Sequence, residues 1–205
     1  MSSETAKKYS SISKIYDIFE WPVEQILFKK LRKKAVALAK GKVLEVGAGT
    51  GKNFPYYDRK SVELTAIDFS EGMLEVAQKK KNNLRWDSLK LLQMDVEKMD
   101  FKDNSFDFVI STFVFCTVSD PQEGLKEIMR VLKPGGKAIF LEHMKSRYHV
   151  INIFLFIMNF FSTRLLGTSM LRETQKSIEN MGFQVESVEN YFFDVVRLVI
   201  ARKNH

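Results

Sequence analysis

The residues best suited to chemistry in this 205-residue chain are glycines and carboxylates set at the ends of short apolar runs. Val43-Leu44-Glu45-Val46-Gly47-Ala48-Gly49-Thr50-Gly51 reads as a buried strand that stops at Val46 and turns tightly, its glycines letting backbone amides approach a ligand. Glycine turns are common, so this run alone says little. Its context says more. A second apolar run ends in Ala66-Ile67-Asp68-Phe69-Ser70, where a carboxylate can accept two hydrogen bonds from ribose hydroxyls. Met94-Asp95-Val96 follows a third run and places Asp95 to accept from the exocyclic amine of an adenine. A fourth run ends in Ser111-Thr112-Phe113. Strand ends on one edge of a parallel sheet share a crevice, so together these residues point to a ligand that carries a nucleoside.

The elements that must position them alternate short β-branched runs with longer helical patterns, the signature of a parallel sheet covered by crossover helices. Strands are expected over 42–46, 62–67, 88–94, 106–112 and 137–141. Helices are expected over 70–82, with Ser70 as its N-cap, and 121–132, with Asp120 ahead of Pro121 in the first turn. The rhythm then changes, because 184–188 and 195–201 are strand-like with no helix between them, and a hairpin is the economical pairing. Ahead of the first strand, 23–39 forms an amphipathic, basic helix with Val23, Ile26, Leu27, Leu31, Ala35 and Leu38 on its apolar stripe.

Composition bounds the possible functions. The 45% hydrophobic and 28% charged content fits a globular chain of one domain, 1–205, and excludes wholesale disorder or a polytopic membrane protein. A single cysteine, Cys116, excludes an internal disulfide and a thiol-rich zinc site, and no other metal-ligand spacing is present. The net charge of +7 suits an anionic small molecule, an anionic membrane or nucleic acid. The first residues, MSSETAKKYSS, lack the apolar stretch of a signal peptide, and the apolar run over 150–161 falls short of the roughly 20 residues that cross a bilayer. The expected placement is cytoplasmic, with peripheral contact on the inner face of the membrane.

With these motifs in order, the sequence resembles the class I S-adenosylmethionine (SAM)-dependent methyltransferases. LEVGAGTG resembles the family's SAM loop, AIDFSEGML its ribose-binding acid and following helix, MDVEKMDFKDNSFD its adenine region and VLKPGGKAIF its later turn. The resemblance covers about 42–141 and implies an α/β, Rossmann-like seven-stranded sheet, mostly parallel with an antiparallel last strand and helices on both faces. A dinucleotide-binding dehydrogenase is the rival, but the glycine spacing is not G-x-G-x-x-G. The resemblance implies that Glu45, Gly47, Gly49 and Gly51 line the methionine part of SAM, Asp68 holds the ribose, Met73 packs on the adenine face, and Asp95 and Val96 hold the adenine edge. Ala48, Phe69 and Ser111, in the same motifs and strand end, complete the expected cofactor contacts. Met73 also lies on the apolar stripe of its helix, where a core role is equally open.

The acceptor is less sharply drawn. Tyr16-Asp17, Phe115-Cys116-Thr117-Val118, Leu141-Glu142-His143 and Leu171-Arg172-Glu173-Thr174 resemble pieces of the ubiquinone/menaquinone-biosynthesis methyltransferases and, more tightly, of bacterial phosphatidylethanolamine N-methyltransferases and animal membrane-associated thiol methyltransferases. The animal enzymes carry an N-terminal membrane-spanning anchor for which these residues show no counterpart. Tyr16 and His143 are the candidate catalytic residues; Tyr16, His143 and Arg172 are the candidate substrate contacts, Arg172 through its fork of donors to a phosphate. His143 bonded to backbone, or Arg172 paired with Glu173 or Glu142, remain open alternatives. Residues 1–41 read as a helical cover and 145–175 as an apolar insertion, with Ile151, Phe154, Leu155, Phe156, Met158, Phe160 and Phe161 facing an apolar acceptor pocket, lipid or the protein body. Lys29, Lys30, Arg32, Lys33 and Lys34 are expected near lipid headgroups. The first expectation is methyl transfer from SAM to a small-molecule or lipid acceptor, a phospholipid amine headgroup above all. A small thiol or quinone precursor is the alternative, and a non-catalytic SAM- or nucleic-acid-binding module the alternative of another class. Nucleic acid is disfavoured because the aromatics gather in the apolar insertion instead of interleaving with Lys and Arg.

Overall fold

Val43, Leu44 and Val46 are all fully buried, as a strand covered on both faces requires. They belong to β1 (Gly41–Val46), an inner strand of the sheet in the computed structural model, which describes residues 28–166, 169 and 171–204. In chain order the remaining strands are β2 (Val62–Asp68), β3 (Lys90–Gln93), β4 (Phe106–Thr112), β5 (Leu132–His143), β6 (Gln184–Tyr191) and β7 (Val196–Arg202). The helices are α1 (Lys29–Val36), α2 (Glu71–Asn83), α3 (Pro121–Val131), α4 (His149–Leu166) and α5 (Thr174–Asn180).

The seven strands lie in the order β3-β2-β1-β4-β5-β7-β6. β1 to β5 pair in parallel, and β7 runs antiparallel to both β5 and β6. The change of rhythm in the sequence is therefore the β6–β7 hairpin. Alternate residues of the central strands face opposite layers. Leu44, Val46, Val109 and Phe140 pack with Leu125 and Ile128 of α3 and Ile178 of α5. Val43, Ile110, Ile139 and Leu141 pack with Leu31, Ala35 and Val36 of α1 and Ala77 of α2. Helices thus cover both faces. The two expected caps form: the Ser70 hydroxyl accepts from Met73 N at 3.3 Å, and the Asp120 carboxylate accepts from Gln122 N and Glu123 N at 3.0 and 3.2 Å.

Two local expectations need correcting. The buried side of α1 holds Leu31, Arg32, Ala35 and Val36, while Leu38 is 47% exposed. The helix ends at Val36, short of the expected residue 39, so Leu38 falls in the turn beyond it, while Arg32 is drawn into the protein by buried acceptors described below and does not stand among headgroup-facing lysines. Secondly, β5 begins at Leu132 instead of after the Lys133-Pro134-Gly135-Gly136 turn. It pairs Leu132 with Phe106, bulges, and resumes with Lys137 opposite Phe108.

Candidate active site

Strand order reverses between β1 and β4, and the crevice of such a sheet opens beyond the carboxyl ends of its strands at that point. Gly47, Ala48 and Gly49 form its floor, continuing from β1. Gly47 has φ +61°, and a Cβ there would stand 2.5 Å from the Val114 side chain. Only glycine fits. Gly49 has φ +55°, and a Cβ there would meet nothing within 4 Å, because this glycine faces the open crevice.

Asp68, at the end of β2, closes the adjoining wall. Its Oδ2 accepts from Gly49 N and its Oδ1 from Ser70 N, both at 2.8 Å. Burial pushes its carboxyl upward, opposed by these two backbone donors. A carboxylate offers about four acceptor sites, so two remain after the backbone bonds, enough for the vicinal hydroxyls of a ribose. Phe69, Met73, Asp95 and Val96 line the same cavity. Asp95 also accepts from Glu97 N at 3.0 Å, which fixes the turn after β3. A hydroxyl-accepting acid, an open glycine cradle and an apolar slot between Met73 and Val96 suit the SAM that the motifs imply.

The other three expected cofactor contacts stand behind the crevice wall. Gly51 packs on Phe54. Ser111 is fully buried and donates to Glu142 Oε1 at 2.7 Å; its successors Thr112 and Phe113 line the crevice in its place. Glu45 is buried, and its Oε1 accepts from Asn53 Nδ2 at 2.9 Å. Among the described residues its Oε2 and the neighbouring Tyr57 hydroxyl are buried without a partner in hydrogen-bonding geometry. Burial pushes the Glu45 carboxyl up to about 7, with Tyr57, Asn53 and the Arg32 charge pulling the other way.

Two residues here went unassigned in the motifs. Arg32 reaches in from α1 to the crevice, donates to Thr112 Oγ1 at 2.7 Å and Asn53 Oδ1 at 3.3 Å, and lies 4.9 Å from the Phe113 ring centroid. The signal for it was its spacing: Arg32 is one turn from Ala35 and Val36, on the side that buries. Glu142, fully buried near the end of β5, accepts from Ser111 Oγ, Val114 N and Phe115 N. Burial pushes it up to about 7, against those donors. It clamps the loop whose Val114 fills the space beside Gly47. A glutamate amid the apolar run of a central strand was its signal.

The candidate acceptor residues are spread around this loop. His143 ends β5 with its ring 4.7 Å from Phe113 and 5.7 Å from Phe28, behind the phenyl group that lines the crevice. Arg172 donates to Val118 O at 2.6 Å in the loop after β4, and burial lowers its pKa. Cys116 is buried beside Phe113 O. Tyr16 lies outside the described residues. Among the described residues no group of three or more His, Cys, Asp or Glu is placed to hold a metal ion.

Comparison with known proteins agrees with this geometry. Residues 44–140 match the family model described as a methyltransferase domain. A phosphatidylethanolamine N-methyltransferase from Cereibacter sphaeroides is 39% identical over 104 residues, covering 50% of this chain and 51% of that protein. A demethylmenaquinone methyltransferase from Renibacterium salmoninarum is 31% identical over 143 residues, 68% of this chain and 58% of that protein. The chain thus matches between half and three fifths of these relatives' length. The crystal structure of a SAM-dependent methyltransferase from Aquifex aeolicus superposes with a TM-score of 0.68 at 24% identity, covering 95% of this chain and 98% of that one. The sheet order, the glycine floor and the matched span together make residues 44–140 a methyltransferase domain.

Proposed function

We propose that the chain methylates the amine headgroup of a phospholipid, of the phosphatidylethanolamine type. The observation that carries this reading is a row of aromatic rings leading out of the crevice. Phe113 lines the cavity, Phe28 lies 4.7 Å from it, and the half-exposed Phe192 lies 6.3 Å from Phe28. An apolar path from donor to surface suits an acceptor that keeps its chains in lipid. The phosphatidylethanolamine N-methyltransferase relative supports the same choice.

SAM supplies a methyl group on a sulfonium, to which an amine lone pair bonds as the carbon–sulfur bond breaks, and the new ammonium releases its proton to solvent. The chain's own residues mainly hold and enclose. Asp68 accepts from the ribose hydroxyls. Gly47 and Gly49 let the backbone come close to the methionine end, and Arg32 offers a cation to its carboxylate. Met73 and Val96 sandwich the adenine, with Asp95 at its edge. Phe113, backed by His143, walls the acceptor side and excludes water. His143 acts as a positioning residue in this arrangement, and Arg172 keeps the loop over Phe113 in place.

A prenylated quinone precursor is the second reading, favoured by the demethylmenaquinone methyltransferase relative, which aligns over more of the chain. The deciding experiment supplies SAM with a labelled methyl group to the full chain. Its arms contain phosphatidylethanolamine, demethylmenaquinone or a small thiol, each dispersed in the same detergent. Label in the phospholipid is expected; label only in the quinone or only in the thiol overturns the first reading.

A further inference from the structure

Eight large apolar or aromatic side chains that do not line the crevice stand exposed on α4, just ahead of it and on the β6–β7 turn. On α4, Val150, Ile153, Phe154, Phe156 and Ile157 are 54% to 78% exposed. At about 100° per residue these five positions fill one continuous arc of about 160° of the helix. Leu155, on the opposite side, is buried. Tyr148 precedes the helix, and the β6–β7 turn adds Phe192 and Phe193, the latter 71% exposed.

The turn is held with its phenyl groups outward at a cost. Phe192, Phe193 and Asp194 all have left-handed backbone, with φ of 50°, 55° and 58°. Bulky L-residues avoid this region, where glycine or asparagine sits readily. Stability alone therefore does not account for two phenylalanines there. The turn and α4 are also tied into one body. Ser146 Oγ donates to Phe193 O at 2.9 Å, Ser146 N donates to Asn152 Oδ1 at 3.0 Å, and Asp194 accepts from Arg147 N. The apolar face is thus assembled in advance.

Its rim is basic. From residue 143 to 166 the sequence contains no Asp or Glu, and Lys145 and Arg147 are exposed there, within 3.8 Å of Glu173 and 3.5 Å of Asp194 respectively. Residues 28–36 likewise contain no acid, and Lys29, Lys30 and Lys33 are exposed on the helix that follows Phe28, itself packed beside Phe192. Among the described residues no helix is long and apolar enough to cross a membrane, so this face can lie on a bilayer and not span it.

We infer that the outer arc of α4 and the Phe192-Phe193 turn form one docking face for a bilayer that contains anionic phospholipid. The apolar side chains enter the acyl boundary while the surrounding lysines and Arg147 meet the headgroups. The inference deepens the proposed lipid acceptor by naming the surface that brings it to Phe113.

The test is flotation of the full chain with vesicles of phosphatidylcholine, with and without phosphatidylglycerol, for wild type, Phe193→Asn and the pair I153Q/F154Q. Asparagine suits the left-handed turn, so Phe193→Asn is expected to keep the wild-type melting temperature and SAM affinity. Wild type is expected to float with the anionic vesicles and less with phosphatidylcholine alone, and each variant to bind about tenfold more weakly. A wild type that does not float overturns the proposal. So do variants that float equally well, which places the anchor elsewhere in the chain, residues 1–27 included. A wild-type dimer in sedimentation that the variants split, without flotation, assigns the face to a second copy and overturns it as well. Flotation reads binding without turnover. Binding with no methylation of phosphatidylethanolamine keeps the docking face and removes the acceptor; methylation of detergent-dispersed lipid without flotation does the reverse.

Discussion

Arg32 and Thr112 stand 80 residues apart in sequence and meet in a hydrogen bond of 2.7 Å, Nη1 donating to Oγ1. Through Asn53, which donates to both Thr112 Oγ1 and Glu45 Oε1, the same guanidinium steadies a buried acid behind the glycine floor. Arg32→Met removes the cation and leaves Thr112, Asn53 and Glu45 short of it. The expected loss is about 2–3 kcal/mol of unfolding free energy, at the low end for a broken buried charge network because Glu45 already binds its proton tightly. Urea unfolding checks this, and adding Glu45→Gln to Arg32→Met recovers part of the loss. Equal loss in the single and double variants would show that Arg32 acts independently of Glu45.

Asp68→Ala is expected to weaken S-adenosylhomocysteine binding by roughly 100-fold or more, the loss of two hydrogen bonds to a charged acceptor. Asp68→Asn keeps one acceptor oxygen and falls between. Calorimetry measures both. Unchanged affinity in the alanine variant would remove Asp68 from the ribose site.

Gly47→Ala and Gly49→Ala separate folding from binding. At Gly47 the new methyl group meets Val114 at 2.5 Å, so the variant loses stability and cofactor affinity together. At Gly49 the methyl group enters open crevice, so the fold suffers only the left-handed strain, about 1–2 kcal/mol. SAM affinity then falls more steeply than stability does. Thermal melting with and without the cofactor distinguishes the two patterns.

Glu45 and Glu142 make stability depend on pH in an uncommon direction. Both carboxyls are pushed up to about 7 from 4.5 by burial, so the folded chain binds these protons more tightly than the unfolded chain. Their favourable contribution is complete below about pH 4.5 and is lost as pH rises through about 7. Asp107, Glu127, Glu186 and Glu189 are shifted down by their lysine and arginine partners, and their contributions are lost only at lower pH, below the ordinary carboxylate range. Unfolding midpoints in urea are therefore expected to fall between about pH 5 and about pH 8. Glu142→Gln, which keeps an acceptor for the loop, is expected to flatten that slope; an unchanged slope would assign it to other groups.

The parts of the fold written in local chemistry were legible. β1, β2 and β4 are bounded runs of β-branched and aromatic residues, and the Gly47-Ala48-Gly49 turn announces itself by residue type. Ser70 and Asp120 mark helix starts because capping is decided within a few residues. What escaped was decided across the fold. β5 resumes its ladder through a proline and two glycines because Leu132 finds Phe106 and Lys137 finds Phe108, partners 26 and 29 residues away. The helical stripe of α1 held at Leu31 and Ala35 and failed at Leu38 because the helix stops at Val36, and the burial of Arg32 depends on acceptors from Asn53 and Thr112, far along the chain. Ser111 stands at the correct strand end, but the alternation of the strand turns it to Glu142 and leaves Thr112 for the crevice. Phe192 and Phe193 drew no attention because nothing local distinguishes an outward phenylalanine from a core one.

The reversed strand β7 has a consequence for how the molecule would meet its substrate. Because His143 pairs with Val196 across antiparallel strands, the β6–β7 turn falls on the same edge of the sheet as Gly49 and Asp68. A seventh strand running parallel to β5 would have to be entered from the opposite edge, with its incoming loop far from the crevice. In the hairpin, turn and crevice share one edge: a surface that received the Phe192-Phe193 turn would lie on the side where Phe28 and Phe113 lead to the cavity, with no hinge between them.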